Sequence, residues 1–281
     1  MLLKTSPKMT VMIRTEKVPN NILKFLMLTQ VIFMVACDFT PRLHKDILNA
    51  QNLIANQDYK TAIARYEEIL SRNPADEIKV KIHYQIGELY SINLNQNAKA
   101  LFHYEKVKDF SEEPLWLVKA EERIGEINFI YIRNFDSALR SYKRLLAFNP
   151  KLKRYDFYQY RLALSHLGLK DYAKAESVLK EMENNPAHEF HIRSMYELGM
   201  CFFYQEKYPQ AIEAWRAYIK REKRSEHVVQ AKFLMANAYE TMEDLKAAYN
   251  LYYSILGKYP NTTVIKNRLE AIYARRVARK R

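Results

Sequence analysis

Glycine is scarce in this chain, with five among 281 residues. Backbone that turns tightly or approaches a phosphate closely usually relies on glycine. Its near-absence argues against phosphate-cradling loops and for helices joined by short connections. No phosphate loop, nucleophile elbow or dinucleotide fingerprint occurs. Cysteine is scarcer still: Cys37 and Cys201 cannot build the disulfide framework of a small secreted domain. A long apolar run is missing too. The best candidate, Phe25–Ala36, has twelve residues, where a helix crossing a bilayer needs about 20. The body also lacks a charge bias. The formal net charge is +13, yet residues 1–36 hold +4 and residues 266–281 hold +6, leaving +3 for 37–265. The basic character sits at the two ends, which argues against a nucleic-acid groove along the body. What is present is 48% hydrophobic and 27% charged residues with 21 tyrosines, enough to bury a sizeable core.

At the N-terminus, Lys4, Lys8, Arg14, Lys17 and Lys24 precede the short apolar run, and small residues close it. That order is the plan of a secretory signal peptide over residues 1–36. Counted from Met1 the basic region is long, and Met9 or Met12 gives a more ordinary length. The run ends Met34-Val35-Ala36-Cys37, which resembles the lipobox of bacterial lipoproteins, with Met34 where Leu or Val is usual. The resemblance implies cleavage before Cys37, a diacylglyceryl group on its thiol and a further acyl chain, of the palmitate kind, on the new N-terminus. Each buried methylene contributes about 0.8 kcal/mol, so several chains anchor firmly. Asp38 resembles the signal that retains lipoproteins in the inner membrane of some bacteria, so outer and inner membrane both stay open. Residues 37–42 are then a lipidated end and a short linker.

The body repeats. Ala62, Ala100, Ala138, Ala175, Ala211 and Ala248 lie 38, 38, 37, 36 and 37 residues apart. Four residues after each stands a bulky partner: Tyr66, Tyr104, Tyr142, Leu179, Trp215 and Tyr252. Spacing i, i+4 puts both on one helical face. Twelve or thirteen residues before each alanine stands a small residue: Ala50, Gly87, Gly125, Ala163, Gly199 or Ala236. Glycine inside a helix costs up to about 1 kcal/mol, so a close neighbour is its packing reason. Pro74, Pro114, Pro150, Pro186 and Pro260 close five units, and Pro209 stands before the second helix of the fifth. This ladder resembles the tetratricopeptide repeat, a helix–turn–helix of 34 residues. The longer period implies slightly longer helices or turns. The expected fold is all-α: six helix pairs over 43–260, stacked into an α-solenoid, then a capping helix with a basic tail over 261–281. On that helix Val264, Leu269, Ile272 and Tyr273 are expected to face the sixth unit, and the basic end to project into solvent.

The resemblance implies a concave face lined by the first helix of each pair, at positions three before, one after and four after the small residue. Carried over, these positions yield an aromatic-rich partner-binding groove of Tyr84, Phe129, Tyr160, Leu164, Tyr196, Met200, Phe203 and Phe233, with Phe157 beside it. Lys81, Lys119 and Arg193 stand on faces that in this family form a carboxylate clamp, but the matching asparagines are missing. The basic tail, Arg275, Arg276, Arg279, Lys280 and Arg281, suits an anionic lipid or polymer.

Other chemistry finds little support. His188 and His191 pair without further ligands for a metal. Cys201, in "GMCFFY", reads as a buried, inert thiol. No cofactor, small-molecule substrate or nucleic acid is expected, and no enzyme activity. The sequence reads as a lipid-anchored scaffold of the bacterial cell envelope, facing the periplasm, that binds protein partners and assists assembly of a complex such as the outer-membrane barrel machinery or a pilus secretin. Two alternatives remain: a peptidoglycan-associated cofactor that recruits a cell-wall enzyme, and a cytoplasmic scaffold should the signal not be processed.

Overall fold

A computed structural model of the protein describes residues 39–279, all α-helical apart from two π-helical turns and short connections. The apolar run, Cys37, Lys280 and Arg281 lie outside the described residues. The described residues divide into two compact units, one up to residue 74 and one from residue 75 on. In the first, α1 (Phe39–Ala55) pairs with α2 (Tyr59–Ser71). Ala50 and Ala62 are fully buried with Tyr66 and Ile69, and Arg72 reaches Asp46 at 2.7 Å to close the pair.

The second unit holds five further pairs and a final helix. The pairs are α3 (Asp76–Glu88) with α4 (Asn97–Phe110), α5 (Pro114–Ile127) with α6 (Phe135–Leu146), α7 (Tyr155–Gly168) with α8 (Tyr172–Glu183), α9 (His191–Tyr204) with α10 (Tyr208–Arg221), and α11 (Ser225–Thr241) with α12 (Leu245–Ser254). The final helix is α13 (Thr262–Ala278). Within this unit each helix packs on the next in sequence. Core clusters bridge successive repeats: Tyr104 meets Ile124 and Ile127, Leu145 meets Tyr158, and Leu179 meets Leu198 and Cys201. No pair buries its apolar face alone, which is the logic of a stacked repeat.

The sequence ladder is the packing seam. In three repeats the small residue is glycine, and the bulky residue of the second helix lies over it. A Cβ on Gly87 would stand 2.8 Å from the Tyr104 ring, one on Gly125 3.2 Å from Tyr142, and one on Gly199 2.2 Å from the Trp215 indole nitrogen. The Trp215 N–H donates to the Tyr196 carbonyl oxygen at 3.1 Å, so the ring is fixed against the α9 backbone.

For want of glycine few tight turns were expected, and here the structure differs. Gln57, Asn95, Arg133, Lys170, Glu206 and Glu243 all adopt left-handed backbone, with φ between 51 and 63°. Each lies five residues before its ladder alanine, so every pair has the same tight turn. Four are followed at once by a capping side chain. Asp58, Asn134, Asp171 and Asp244 accept from the backbone N–H three residues on, at 3.0–3.4 Å. A non-glycine residue in this region costs roughly 1–2 kcal/mol, and a cap returns about 1 kcal/mol.

The long period also has a local cause. Thirteen residues, not twelve, separate Gly87 from Ala100 and Gly125 from Ala138. In those two repeats the first helix ends in a π-helical turn, Leu89–Asn93 and Asn128–Ile132. A wider turn absorbs one inserted residue without moving the ladder.

At the far end Asn261 caps α13 through the Val264 N–H, 3.1 Å away. Ile265, Leu269 and Ile272 are buried against Tyr252 and Ile255. Tyr273, expected in this seam, is 62% exposed. The i, i+4, i+7 stripe runs through Ile265, and Tyr273 lies one residue round the helix from it.

Candidate partner-binding face

The first helices of the second unit carry the residues predicted for the groove. All nine, Tyr84, Phe129, Phe157, Tyr160, Leu164, Tyr196, Met200, Phe203 and Phe233, are half-buried. Each aromatic among them packs on a neighbouring ring, so no bare apolar strip runs along this face. They fall into local clusters separated by charge.

The first cluster surrounds an open cavity of about 340 Å³. Tyr84 comes from α3, Lys119, Glu122, Arg123 and Glu126 from α5, Tyr142 from α6, and Arg154, Phe157 and Tyr158 from α7 and its start. Arg123 donates to Glu88 at 2.8 Å and to Glu126 at 3.2 Å. Burial works against its charge, but Glu88 beside it wins and raises its pKa. Glu88 also accepts from the Tyr104 hydroxyl at 2.5 Å, beneath the ring that covers Gly87. Arg154 donates to Glu122 at 2.9 Å, and the Tyr158 hydroxyl donates to the same carboxylate. Burial pushes the Tyr142 hydroxyl up to about 12, so it stays protonated. Lys119 lies 4.5 Å from the Trp116 ring centre and pairs with no carboxylate. Arg161 stacks on Phe129 at 4.5 Å and on Phe157 at 5.1 Å, likewise without an ion pair. The walls therefore offer aromatic faces beside one unpaired cation, Lys119, with a second, Arg161, stacked on Phe157.

The second cluster is closed on itself. Tyr160 stacks flat on Phe190 with ring centres 4.5 Å apart. Its hydroxyl donates to Glu197 at 2.9 Å, and Arg193 Nε donates to the same carboxylate at 3.0 Å. Arg193 also covers the Tyr196 ring at 4.6 Å. Glu197 is buried, and burial raises its pKa against the pull of Arg193. This set ties α7 to α9. Further along, Phe203 packs edge-on against Tyr208 and at 5.9 Å from Trp215, with Met200 in the same cluster. Phe233 stacks on Tyr259 at 4.5 Å. Leu164 is half-buried on α7.

The structure brings Tyr84 and Phe157 together in the cavity and places Phe129 behind it through Arg161. It spreads the other six over separate clusters. The sequence reading missed Glu122, Arg123, Arg154 and Tyr158 as cavity walls. Glu122 and Glu126 did stand on the family's groove positions; Arg123 lies three residues from Glu126 on the same helix, but Arg154, which reaches Glu122 from the start of α7, had no spacing signal. Of the would-be clamp residues, Lys81 pairs with Glu77 at 2.5 Å and Arg193 is held by Glu197, so the set does not converge.

The basic end does not simply project into solvent. Arg275 lies 3.2 Å from Glu240 and Arg268 lies 3.4 Å from it. Arg275 and Arg279 both pair with Glu243 at the end of α11, where the helix dipole adds to the attraction. Arg276 lies 5.7 Å from the Tyr249 ring centre. Cys201 is buried, donates to the Tyr172 carbonyl oxygen at 3.4 Å and is pushed up by burial to about 11, an inert thiol as expected. Among the described residues no group of three or more His, Cys, Asp and Glu is arranged to hold a metal.

One tetratricopeptide-repeat model matches residues 127–189 and 196–261, and a second matches residues 80–114. No curated protein matches the sequence. Among solved structures, PilW, described as a widely conserved type IV pilus biogenesis factor, is 15% identical, with a TM-score of 0.53 over 82% of this chain and 98% of PilW. The Naa15/Naa10 complex bound to HypK contains a chain 17% identical, with a TM-score of 0.56 over 84% of this chain and 34% of that one. YrrB, a TPR protein with an unusual peptide-binding site, is 14% identical, with a TM-score of 0.50 over 72% of this chain and 96% of YrrB. At these identities the likeness is one of fold. The matched models together span more than half of the chain and coincide with the ladder seen in the core, and the chain belongs to the tetratricopeptide-repeat family, an architecture that serves as a scaffold for protein–protein interaction.

Proposed function

We propose that this protein is a lipid-anchored scaffold of the bacterial cell envelope, held through Cys37 and facing the periplasm, that grips a partner polypeptide on its first-helix face while an envelope complex is assembled. The cavity between α3, α5 and α7 carries this reading. Tyr84 and Phe157 give it aromatic walls, Lys119 lines it without a carboxylate partner, and Arg161, also without one, stacks on the wall residue Phe157. Such a site suits an extended segment that offers an acidic or aromatic side chain. The envelope part of the reading is supported by the signal-like N-terminus with its Cys37, and by the likeness to PilW, a pilus biogenesis factor. A pilus or secretin-type subunit is accordingly the preferred partner.

The test is affinity capture of the native protein from detergent-solubilised envelopes, beside Phe157→Ala with Arg161→Ala and beside Cys37→Ala. The expected result is one envelope-assembly protein that co-purifies, is lost with the double substitution, and is recovered at another location with Cys37→Ala. Capture that survives the double substitution would remove the cavity from the proposal. Unchanged fractionation of Cys37→Ala would remove the anchor.

A further inference from the structure

The turns that join first to second helices in repeats two, three and four carry apolar side chains that nothing in the fold covers. Ile92 is 62% exposed, Tyr131 57%, and Ile130 and Ile132 44% each. All four belong to the two π-helical turns, where the inserted residue lies. Ile92 and Tyr131 line one shallow cavity of about 250 Å³, which places the two turns side by side. The fourth repeat's turn, with exposed Leu169, is drawn alongside by Gly168, where a Cβ would stand 2.5 Å from the Phe135 ring at the start of α6.

Charge marks the same edge. Its carboxylates are spoken for: Glu126 pairs with Arg123, Asp136 with Arg140 and Asp171 with Lys174. Lys99, Arg133 and Lys170 pair with no carboxylate, and Lys99 lies over the Tyr90 ring at 5.1 Å. The edge is thus apolar and carries three cations without carboxylate partners. Repeats five and six also expose Tyr204 and Met242 here but differ in charge, since their left-handed turn residues are Glu206 and Glu243, and Glu243 is bound to Arg275 and Arg279.

We infer that this edge docks on the surface of an anionic bilayer. Ile92, Ile130, Tyr131, Ile132 and Leu169 enter the headgroup layer, while Lys99, Arg133 and Lys170 meet the lipid phosphates. Exposed aliphatic groups interspersed with unpaired cations and a tyrosine suit a lipid interface. The centre of a protein–protein interface is depleted in charge, and this edge is not. The inference concerns the folded body and does not depend on acylation of Cys37.

The experiment is vesicle flotation with the full chain carrying Cys37→Ser, using phosphatidylcholine alone or mixed with phosphatidylglycerol. The parent is expected to bind the mixed vesicles more strongly, and less so as salt rises. Ile130→Ser with Tyr131→Ser and Ile132→Ser is expected to weaken that binding. Arg133→Gln with Lys170→Gln is expected to weaken it roughly 30-fold. Both variants should keep the parental circular dichroism. A Tyr131→Trp variant places a reporter on the edge, and brominated lipid should quench its emission beyond the background of Trp116 and Trp215. Binding that is equal for parent and edge variants, whether carried by the apolar run at residues 25–36 or by another surface, would overturn the inference. So would a Tyr131→Trp signal that bromine does not touch, or an edge that captures an acidic protein and no vesicle.

Discussion

Repeats two and three are built on the same ladder as repeats five and six, yet their edges differ in how the first helix ends and in charge. The former have thirteen residues between small residue and alanine, end their first helices in π-helical turns and expose Ile92 and Ile130–Ile132. The latter have twelve residues, end in regular helix, and carry acidic residues in their turns. The seam between helices is the same in both. A repeat scaffold can therefore vary its turn edge freely, as long as an inserted residue is absorbed before the chain reaches the next buried alanine.

That comparison can be pressed from its strongest consequence downward. Deleting Tyr204 from repeat five, where there is no spare residue, shifts the ladder and is expected to cost about 4 kcal/mol. Deleting Ile132 from repeat three should restore a twelve-residue spacing and cost about 1 kcal/mol or less. Urea midpoints of the two deletions would read this directly. Equal losses would mean that the π-helical turn is not a removable insertion.

The glycines rank the seam itself. Gly199→Ala drives a methyl into Trp215, which its hydrogen bond to Tyr196 holds in place, and is expected to cost about 3 kcal/mol. Gly125→Ala, where the nearest ring atom is 3.2 Å away, should cost about 1 kcal/mol. Denaturation curves in the reverse order would contradict the packing described for the two repeats.

Repeat two differs again in its buried histidine pair. His83 and His103 face each other with Nδ1 atoms 3.0 Å apart, where repeat five has Met195 and Ala214. Burial lowers the pKa of both, and that of His103 to about 4. The folded state holds the neutral rings, and the unfolded chain takes up protons first, below its ordinary value of about 6.5. The pair therefore adds stability above about pH 6.5 that drains away as the pH falls toward 4. His103→Leu should flatten the fall in melting temperature over that interval. A parental slope in this variant would place the acid sensitivity elsewhere.

The smallest effects concern the turns. Asn134→Ala and Asp171→Ala each remove a cap and should cost about 1 kcal/mol. Lys170→Gly relieves a left-handed lysine and should gain a few tenths to about 1 kcal/mol.

Much of the fold was legible because its determinants repeat at fixed spacing. The alanines and their bulky partners appear in the sequence as they do in the core, and even the π-helical turns are written there as a thirteenth residue. The turns were not legible, since Gln57, Lys170 and Glu206 carry no turn signal of their own and depend on the Schellman-type backbone bonds around them. The candidate site was read only in part. Helical spacing finds Tyr84 and Phe157, but it cannot tell that Arg154 reaches Glu122, or that Tyr160 and Arg193 share Glu197, because those partners lie more than thirty residues apart or on another helix. The basic end was misjudged for the same reason: its acids, Glu240 on α11 and Glu243 in the turn after it, are far away in sequence.

Site-specific photo-crosslinking in living cells tests the central claim most directly. A photoreactive residue at Phe157, in the cavity, is compared with one at Phe102, exposed on α4. A discrete partner adduct from Phe157 and none from Phe102 is the expected result. Adducts from Phe102 alone, or equal yields at both positions, would contradict a partner-binding role for the first-helix face.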